Sequence, residues 1–326
     1  MARDSTDTVH WITGEALPIG HGVAYSTDDP SHLLNVRASG MGLYMDADEE
    51  FATFGARHQQ GAKPIDFLPR YLFGQYIDSQ LLKRVSSARQ RGRHYKLYAE
   101  QATSIRATAE GYSILLESGQ PVFAQRVVLA LGAMDARPLR TVSETALSSG
   151  AYVLEPWSLA RRRGTPHRVT VIGTGLTAAD TLITASHQWP DAELVAVSRH
   201  GLLPFTHSEL PIAPFPHQAA LNAELLRDAD PAKIFAAIRR VFRTHQDVDW
   251  RSVIDGMRPI NSLLWQRFSA RQRRRFLSHV RWLWESARHR LAPDAADIIQ
   301  QLRDEGRLHI HGARILHVDG DSPLTV

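Results

Sequence analysis

Residues 167–180 read HRVTVIGTGLTAAD, an apolar run that leads directly into two glycines and then into helix-forming residues. A continuous apolar run that ends at a glycine is typical of a buried strand. The residues after the glycines favour a helix to about His187, and Ala192–Ser198 has the pattern of the next strand. Because a helix joins two consecutive strands, the stretch predicts a parallel strand–helix–strand unit.

The spacing of the glycines indicates a dinucleotide site in this unit. Gly173, Gly175 and Ala178 match the pattern G-x-G-x-x-A. Gly173 permits a sharp turn, Gly175 leaves room for a pyrophosphate, and Ala178 lets the helix pack closely on the strand. The first-turn residues Leu176 and Thr177 would then direct free backbone N–H groups at the phosphates. The pattern also fits an ordinary tight turn between a strand and a helix, and this alternative stays open.

The end of the second strand distinguishes NAD from NADP. An acidic residue there binds the ribose hydroxyls of NAD, whereas an arginine accommodates the extra phosphate of NADP. The sequence at this position is Ser198-Arg199-His200 and contains no acid. We therefore predict that Arg199 binds the phosphate and that NADPH is preferred over NADH. A solvated arginine at the end of a strand is the alternative interpretation.

The composition of the whole chain narrows the kind of protein that it can be. A length of 326 residues favours two domains, and 43% hydrophobic with 22% charged residues is ordinary for a globular protein. No stretch approaches the roughly 18 consecutive apolar residues of a membrane helix, and the polar N-terminus lacks a signal-peptide core. We therefore expect a cytoplasmic protein without a membrane partner. The chain contains no cysteine, which excludes disulfides, thiolate metal sites and a redox-active cysteine pair.

The regions on either side of the glycine run have different patterns. Apolar and polar residues alternate in short runs between residues 102 and 131, as in a β-meander. Arg126–Gly132 is predicted to be a buried strand that ends in glycine. The serine-rich stretch 143–149 resembles a linker. Residues 211–302 are predicted to be mainly helical, and residues 306–318 return to strand character.

Other residues with catalytic potential lack a supporting pattern. His207, His279 and His289 could transfer protons, but we favour structural roles because we find no carboxylate paired with them by spacing. Metal-ligand, hydrolase-nucleophile and phosphate-loop motifs are absent from the sequence, so we assign no metal and no catalytic side chain.

A basic run is the one feature reminiscent of nucleic-acid binding. Arg271–Arg275 precedes an apolar face formed by residues 276–287 at helical spacing. The mild net charge of +4 does not by itself indicate nucleic acid. We interpret the run as a solvated helix start and Trp282 and Trp284 as packing residues, and we expect no nucleic-acid partner.

Seven short runs carry a wider resemblance. In chain order they are GHGVAYS from Gly20, HLLNV from His32, FLPRYLFG from Phe67, ALG ending at Gly132, GTGLTAAD from Gly173, SRHGLLP from Ser198 and RHRLAP from Arg288. Together they resemble the bacterial FAD/NAD(P)-binding proteins of the YdhS-like family, which are related to flavin monooxygenases with two dinucleotide domains. The resemblance extends from about Gly20 to about Val318, which is nearly the whole chain.

The resemblance implies an α/β, Rossmann-like flavoprotein with two dinucleotide-binding domains. It implies hydride transfer from NADPH to FAD, after which reduced flavin and oxygen would hydroxylate a small-molecule substrate. Transferred to this sequence, Gly20, Gly22 and Asn35 would lie beside FAD, and Gly132 would lie at the crossing between the domains. The glycine run and Arg199 would hold the nicotinamide dinucleotide.

We expect residues 1–160 to form a partial FAD-binding domain and residues 161–326 to form the NAD(P)-binding domain, with a helical insertion at about 211–302. The FAD domain is expected to be incomplete at both ends, because no strand–GxGxxG–helix precedes Val9 and the chain stops where the family continues. Glu15 would occupy the position of the ribose-binding acid. The predicted function is an NADPH-dependent, FAD-containing oxidoreductase of the monooxygenase kind. A non-catalytic NAD(P)-binding remnant is the alternative.

Overall fold

The computed structural model describes residues 8–14, 18–44, 49–132, 136–321 and 323–326. The predicted ribose-binding Glu15 lies outside these residues. The chain divides into two compact units, residues 1–137 and 138–326.

The division falls earlier than the boundary that we expected at residue 160. Residues 138–160 belong to the second unit because they contact its later parts. Val142 forms a parallel bridge with Val318. The 3-10 helix Pro156–Arg161 packs on the helix that follows the glycine run, and its Leu159 is buried.

The first unit combines a short parallel sheet, a meander and two helices. In chain order its elements are β1 (Thr8–Ile12), the 3-10 helix Ala38–Gly40, α1 (Glu50–His58), α2 (Arg70–Gln90), β2 (His94–Tyr98), β3 (Ala102–Thr108), β4 (Gly111–Leu116) and β5 (Pro121–Ala124). Strands β1 and β2 pair in parallel, whereas β3, β4 and β5 form an antiparallel sheet. The predicted meander is therefore confirmed for these three strands.

An aromatic core holds α1 against α2. Phe51, Phe73 and Tyr76 pack with ring centroids 5.0–5.7 Å apart. The hydroxyl of Tyr76 donates a hydrogen bond to Glu50 Oε2 at 3.0 Å, in an otherwise apolar environment. The pKa of Tyr76 is raised to about 12. Burial of the phenol is the larger cause, and the hydrogen bond to Glu50 is the second.

The prediction of a buried strand over Arg126–Gly132 is wrong. These residues form no strand, and the side chains of Val128 and Leu131 are 89% and 80% exposed. An apolar run becomes a buried strand only where neighbouring strands pair with its backbone and other elements cover its faces. No strand of the described residues pairs with this run.

The second unit surrounds a parallel sheet with helices. Its elements are α3 (Glu144–Ser148), β6 (Arg168–Ile172), α4 (Leu176–Gln188), β7 (Glu193–Ser198), α5 (Gln218–Arg227), α6 (Pro231–Thr244), α7 (Trp250–Gly256), the 3-10 helix Arg258–Ile260, α8 (Asn261–Arg267), α9 (Ala270–His279), α10 (Arg281–Arg288), α11 (Pro293–Asp304) and β8 (Leu308–Gly312). The strand order is β6-β7-β8, and both pairs are parallel. The α/β, Rossmann-like class and the helical insertion are thus confirmed.

Three local predictions in this unit need correction. The serine-rich stretch is not a plain linker, because Ser143 caps α3 by accepting a hydrogen bond from the Ala146 N–H at 3.1 Å. The single helix expected across residues 276–287 is interrupted at Val280, whose φ of −125° lies outside the helical range. Residues 314–318, expected to have strand character, form only an isolated bridge. The basic run Arg271–Arg275 lies in the first turns of α9, in agreement with its interpretation as a helix start.

The helical insertion contains a buried arginine. Arg290 is 2% exposed, and its Nη2 donates to Asp255, whose side chain is half-exposed. The Arg290 Nε and Nη1 atoms are buried and have no hydrogen-bond partner among the described residues. The Asp255 carboxylate is therefore the one hydrogen-bonded counter-charge of this guanidinium within the described chain.

Helices long and apolar enough to cross a bilayer are lacking in the described part of the chain.

Candidate functional site

The glycine run forms an open turn between β6 and α4. Gly173 has a φ of +128°, which favours glycine, and its N–H donates to the Val197 carbonyl at 2.8 Å. Gly175 has an ordinary φ of −82°. A Cβ atom added at either glycine would meet no atom within 4 Å. The space above the turn is therefore free for a ligand that approaches the backbone.

The first turn of α4 suits an anion. Gly175 is the N-cap and offers no side-chain cap, and the first turn contains no acidic residue. The N–H groups at the start of a helix lack partners within the helix, and the helix dipole favours negative charge there. Thr177 is exposed and Leu176 half-buried, whereas Ala178 is buried, as its predicted packing role requires.

A hydrogen-bond network joins the glycine turn to the loop after β7. The Thr174 hydroxyl, which is buried, lies 2.7 Å from the Leu202 carbonyl oxygen and 2.8 Å from Ser198 Oγ. Ser198 Oγ accepts a hydrogen bond from the Gly201 N–H at 3.1 Å. Gly201 has a φ of +60°, and a Cβ there would lie 2.8 Å from the Gly312 nitrogen. Glycine is therefore required at 201, and the loop is fixed in place.

Arg199 is positioned beside the open turn. Ile172 pairs with Val197 in the parallel ladder, so the carboxyl ends of β6 and β7 lie next to each other. Arg199 directly follows β7 and is exposed, and the described residues give its guanidinium no ion pair or hydrogen bond. An unpaired guanidinium at this edge of the sheet is available for a phosphate.

An aromatic pair next to Arg199 was not predicted from the sequence. The rings of His200 and Trp282 are stacked, with centroids 4.3 Å apart and planes inclined by 19°. Trp282 lies on α10, and its indole N–H donates to the His279 carbonyl at 3.0 Å. The two residues are 82 positions apart, and the sequence contains no local signal that pairs them.

The three histidines considered as proton shuttles have different surroundings. His289 Nδ1 lies 2.6 Å from Glu285 Oε2, one helical turn earlier, so our statement that none of them is paired with a carboxylate is wrong for His289. The spacing of four residues was the signal that could have revealed this pair. The His207 N–H donates to the Leu291 carbonyl, and His279 ends α9.

The residues expected beside FAD lie in turns and loops of the first unit. Gly20 and Gly22 have φ values of +83° and +56°, and a Cβ at Gly20 would lie 2.9 Å from Cγ2 of Ile77 on α2. Asn35 is half-buried, and Gly132 ends the exposed run with a φ of +68° and open space around it. Within the described part of this unit, no glycine turn leads from a strand directly into a helix as in the second unit.

Metal binding has no support in the side chains that the structure describes. Among these residues, no group of three or more histidine, aspartate or glutamate side chains could hold a metal ion.

The first unit matches a known protein family. Residues 3–134 match a family of FAD-NAD(P)-binding proteins. The match confirms the resemblance to FAD- and NAD(P)-binding proteins inferred from the sequence. Curated proteins give no match to the chain.

Solved structures of an ornithine hydroxylase and of two lysine monooxygenases align with this chain at low identity. The ornithine N-hydroxylase of Kutzneria sp. 744 aligns at 14% identity over 97% of this chain and 74% of its own, with a TM-score of 0.47. The lysine monooxygenase NbtG of Nocardia farcinica aligns at 14% identity over 96% and 66%, with a TM-score of 0.41. The L-lysine 6-monooxygenase of Pseudomonas syringae aligns at 16% identity over 76% and 54%, with a TM-score of 0.38.

Proposed function

We propose that this protein is an NADPH-dependent, FAD-containing oxidoreductase of the monooxygenase kind that acts on a small molecule. The observation that carries the proposal is the open glycine turn at the uncapped start of α4, with the unpaired Arg199 at the neighbouring strand end. The match of residues 3–134 to FAD-NAD(P)-binding proteins supports the FAD half.

In this proposal the second unit holds the nicotinamide dinucleotide. The backbone N–H groups of Leu176 and Thr177 bind the pyrophosphate, and the absence of side chains at Gly173 and Gly175 lets it approach. Arg199 binds the 2′-phosphate that distinguishes NADPH from NADH.

In the first unit, Gly20, Gly22, Asn35 and Gly132 are proposed to lie beside FAD. Bound together, the two cofactors supply hydride transfer and reaction with oxygen, so the chain itself has to bind and orient rather than to transfer protons. We assign no side chain as general acid or base.

The decisive measurement is the absorbance of the purified full chain. We expect a yellow protein whose flavin absorbance is bleached by NADPH under anaerobic conditions. A colourless chain that still binds NADP⁺, even after incubation with FAD, would support the non-catalytic alternative.

The role of Arg199 gives a second test. Arg199→Ala removes a charged ligand of the 2′-phosphate, and we expect the KM for NADPH to rise about tenfold or more, since hydrogen bonds to charged groups contribute about 1.5–3 kcal/mol. The KM for NADH should stay unchanged, and Arg199→Lys should retain part of the preference because it keeps the charge. Equal effects of the alanine variant on both coenzymes would show that Arg199 does not select NADPH.

A further inference from the structure

The stacked pair of His200 and Trp282 lies where the adenosine end of a dinucleotide would bind. His200 directly follows Arg199 at the carboxyl end of β7, beside the glycine turn. One face of its imidazole is against the Trp282 indole, and His200 as a whole is exposed. The described residues give this imidazole no other ring contact. The second face of His200 is therefore available to a flat ligand group.

The surroundings fix the orientation of this exposed ring. The backbone on either side of His200 is constrained, because Gly201 is packed against Gly312 and bonded to Ser198 Oγ. Trp282 is itself held by its hydrogen bond to the His279 carbonyl. Glu285, the carboxylate on the same helix as Trp282, is bonded to His289 at 2.6 Å. Its negative charge is thus engaged by the residue that caps the C-terminal end of α10.

We propose that His200, held by Trp282, is the platform on which the adenine ring of the nicotinamide dinucleotide stacks. The inference rests on the proposed function, since it concerns the same ligand. Aromatic side chains attract nucleobases through their flat faces, whichever base is present. The helical insertion thereby contributes to coenzyme binding through α10, while Arg199 separately selects the 2′-phosphate.

The test uses two fragments that lack nicotinamide. Adenosine 2′,5′-bisphosphate and adenosine 5′-monophosphate share the adenine, the ribose and the 5′-phosphate, and only the bisphosphate has the 2′-phosphate. His200→Ala should weaken the binding of both fragments to the full chain about tenfold in calorimetric titration. Arg199→Ala should weaken the binding of the bisphosphate alone.

Matched variants separate stacking from folding. His200→Phe keeps a flat ring and should bind both fragments nearly as well as the wild type. Trp282→Leu should weaken both fragments several-fold, and Trp282→Phe should restore them, because the phenyl ring again supports His200. Both positions are at the surface, so the thermal midpoints of all four variants should stay close to that of the wild type.

The outcomes distinguish a failure of the His200 platform from a failure of the proposed coenzyme site. Unchanged affinity of His200→Ala for both fragments, or no advantage of His200→Phe over His200→Ala, would overturn the platform. In that case a selective effect of Arg199→Ala on the bisphosphate would leave the proposed function standing. A wild-type chain that binds neither fragment nor NADP⁺ would overturn both.

Discussion

Replacing Gly175 by alanine should weaken ligand binding without destabilising the fold. The φ of −82° at this residue is accessible to alanine, and the added Cβ would meet no atom within 4 Å. Alanine should therefore fit without strain. Its restriction of the unfolded chain, worth about 0.4–1 kcal/mol, is offset by the poorer N-cap that alanine makes compared with glycine, so the free energy of unfolding should change little. The same methyl group fills the space proposed for the pyrophosphate. We expect the affinity for NADP⁺ to fall at least tenfold, which corresponds to about 1.4 kcal/mol.

Gly173→Ala is the matched control. The φ of +128° at Gly173 is a conformation that residues with a Cβ rarely adopt, although the space around it is also open. Alanine should therefore lower the free energy of unfolding by about 1–3 kcal/mol. The two glycines are two positions apart in one turn, yet only Gly173→Ala should lower the free energy of unfolding substantially.

Urea unfolding followed by tryptophan fluorescence gives the two free energies, and calorimetric titration gives the affinity for NADP⁺. If Gly175→Ala bound NADP⁺ as tightly as the wild type, the pyrophosphate would not lie over Gly175. If it lost as much stability as Gly173→Ala, the backbone geometry of the turn would be different from the one described.

Two further predictions concern the cores of the two units. The folded pKa of about 12 at Tyr76 exceeds the ordinary value of 10.0, so its contribution to stability is complete below pH 10 and is lost as the pH rises towards 12. Tyr76→Phe should therefore lose less stability than the wild type between pH 9 and pH 11, as measured by urea midpoints; equal losses would contradict the raised pKa. In the second unit, Asp255→Ala leaves the buried Arg290 guanidinium without its carboxylate and should lower the free energy of unfolding by about 3 kcal/mol. Arg290→Met removes the buried charge itself and should cost less, and the reverse order in urea unfolding would refute this argument.

The sequence predicted the glycine turn and its flanking elements because every signal for them is local. The apolar strand before Gly173, the small Ala178 and the helix-forming residues after the turn all lie within 22 positions of one another. The uncapped start of α4 and the unpaired Arg199 agree with the same local pattern. Their assignment to particular groups of the coenzyme stays a prediction.

The errors arose where the outcome depends on distant partners. The apolar run Arg126–Gly132 has the composition of a buried strand, but burial requires neighbouring strands that the run itself does not encode. The stacking of His200 on Trp282 likewise depends on how α10 packs over the sheet edge. The pair of Glu285 and His289 is the exception, because its spacing of four residues on one helical face makes it predictable from the sequence alone.

The network around Thr174 should affect the thermodynamics of the proposed coenzyme binding. Its hydroxyl links the glycine turn to Ser198 and to the Leu202 carbonyl. The loop that carries Arg199 is thereby immobilised during folding, so ligand binding need not remove its conformational entropy a second time. A preorganised loop of this kind lowers the entropic cost of binding the adenosine half that is proposed to contact it. Loosening the Thr174 contacts would weaken binding without removing any atom that touches the ligand.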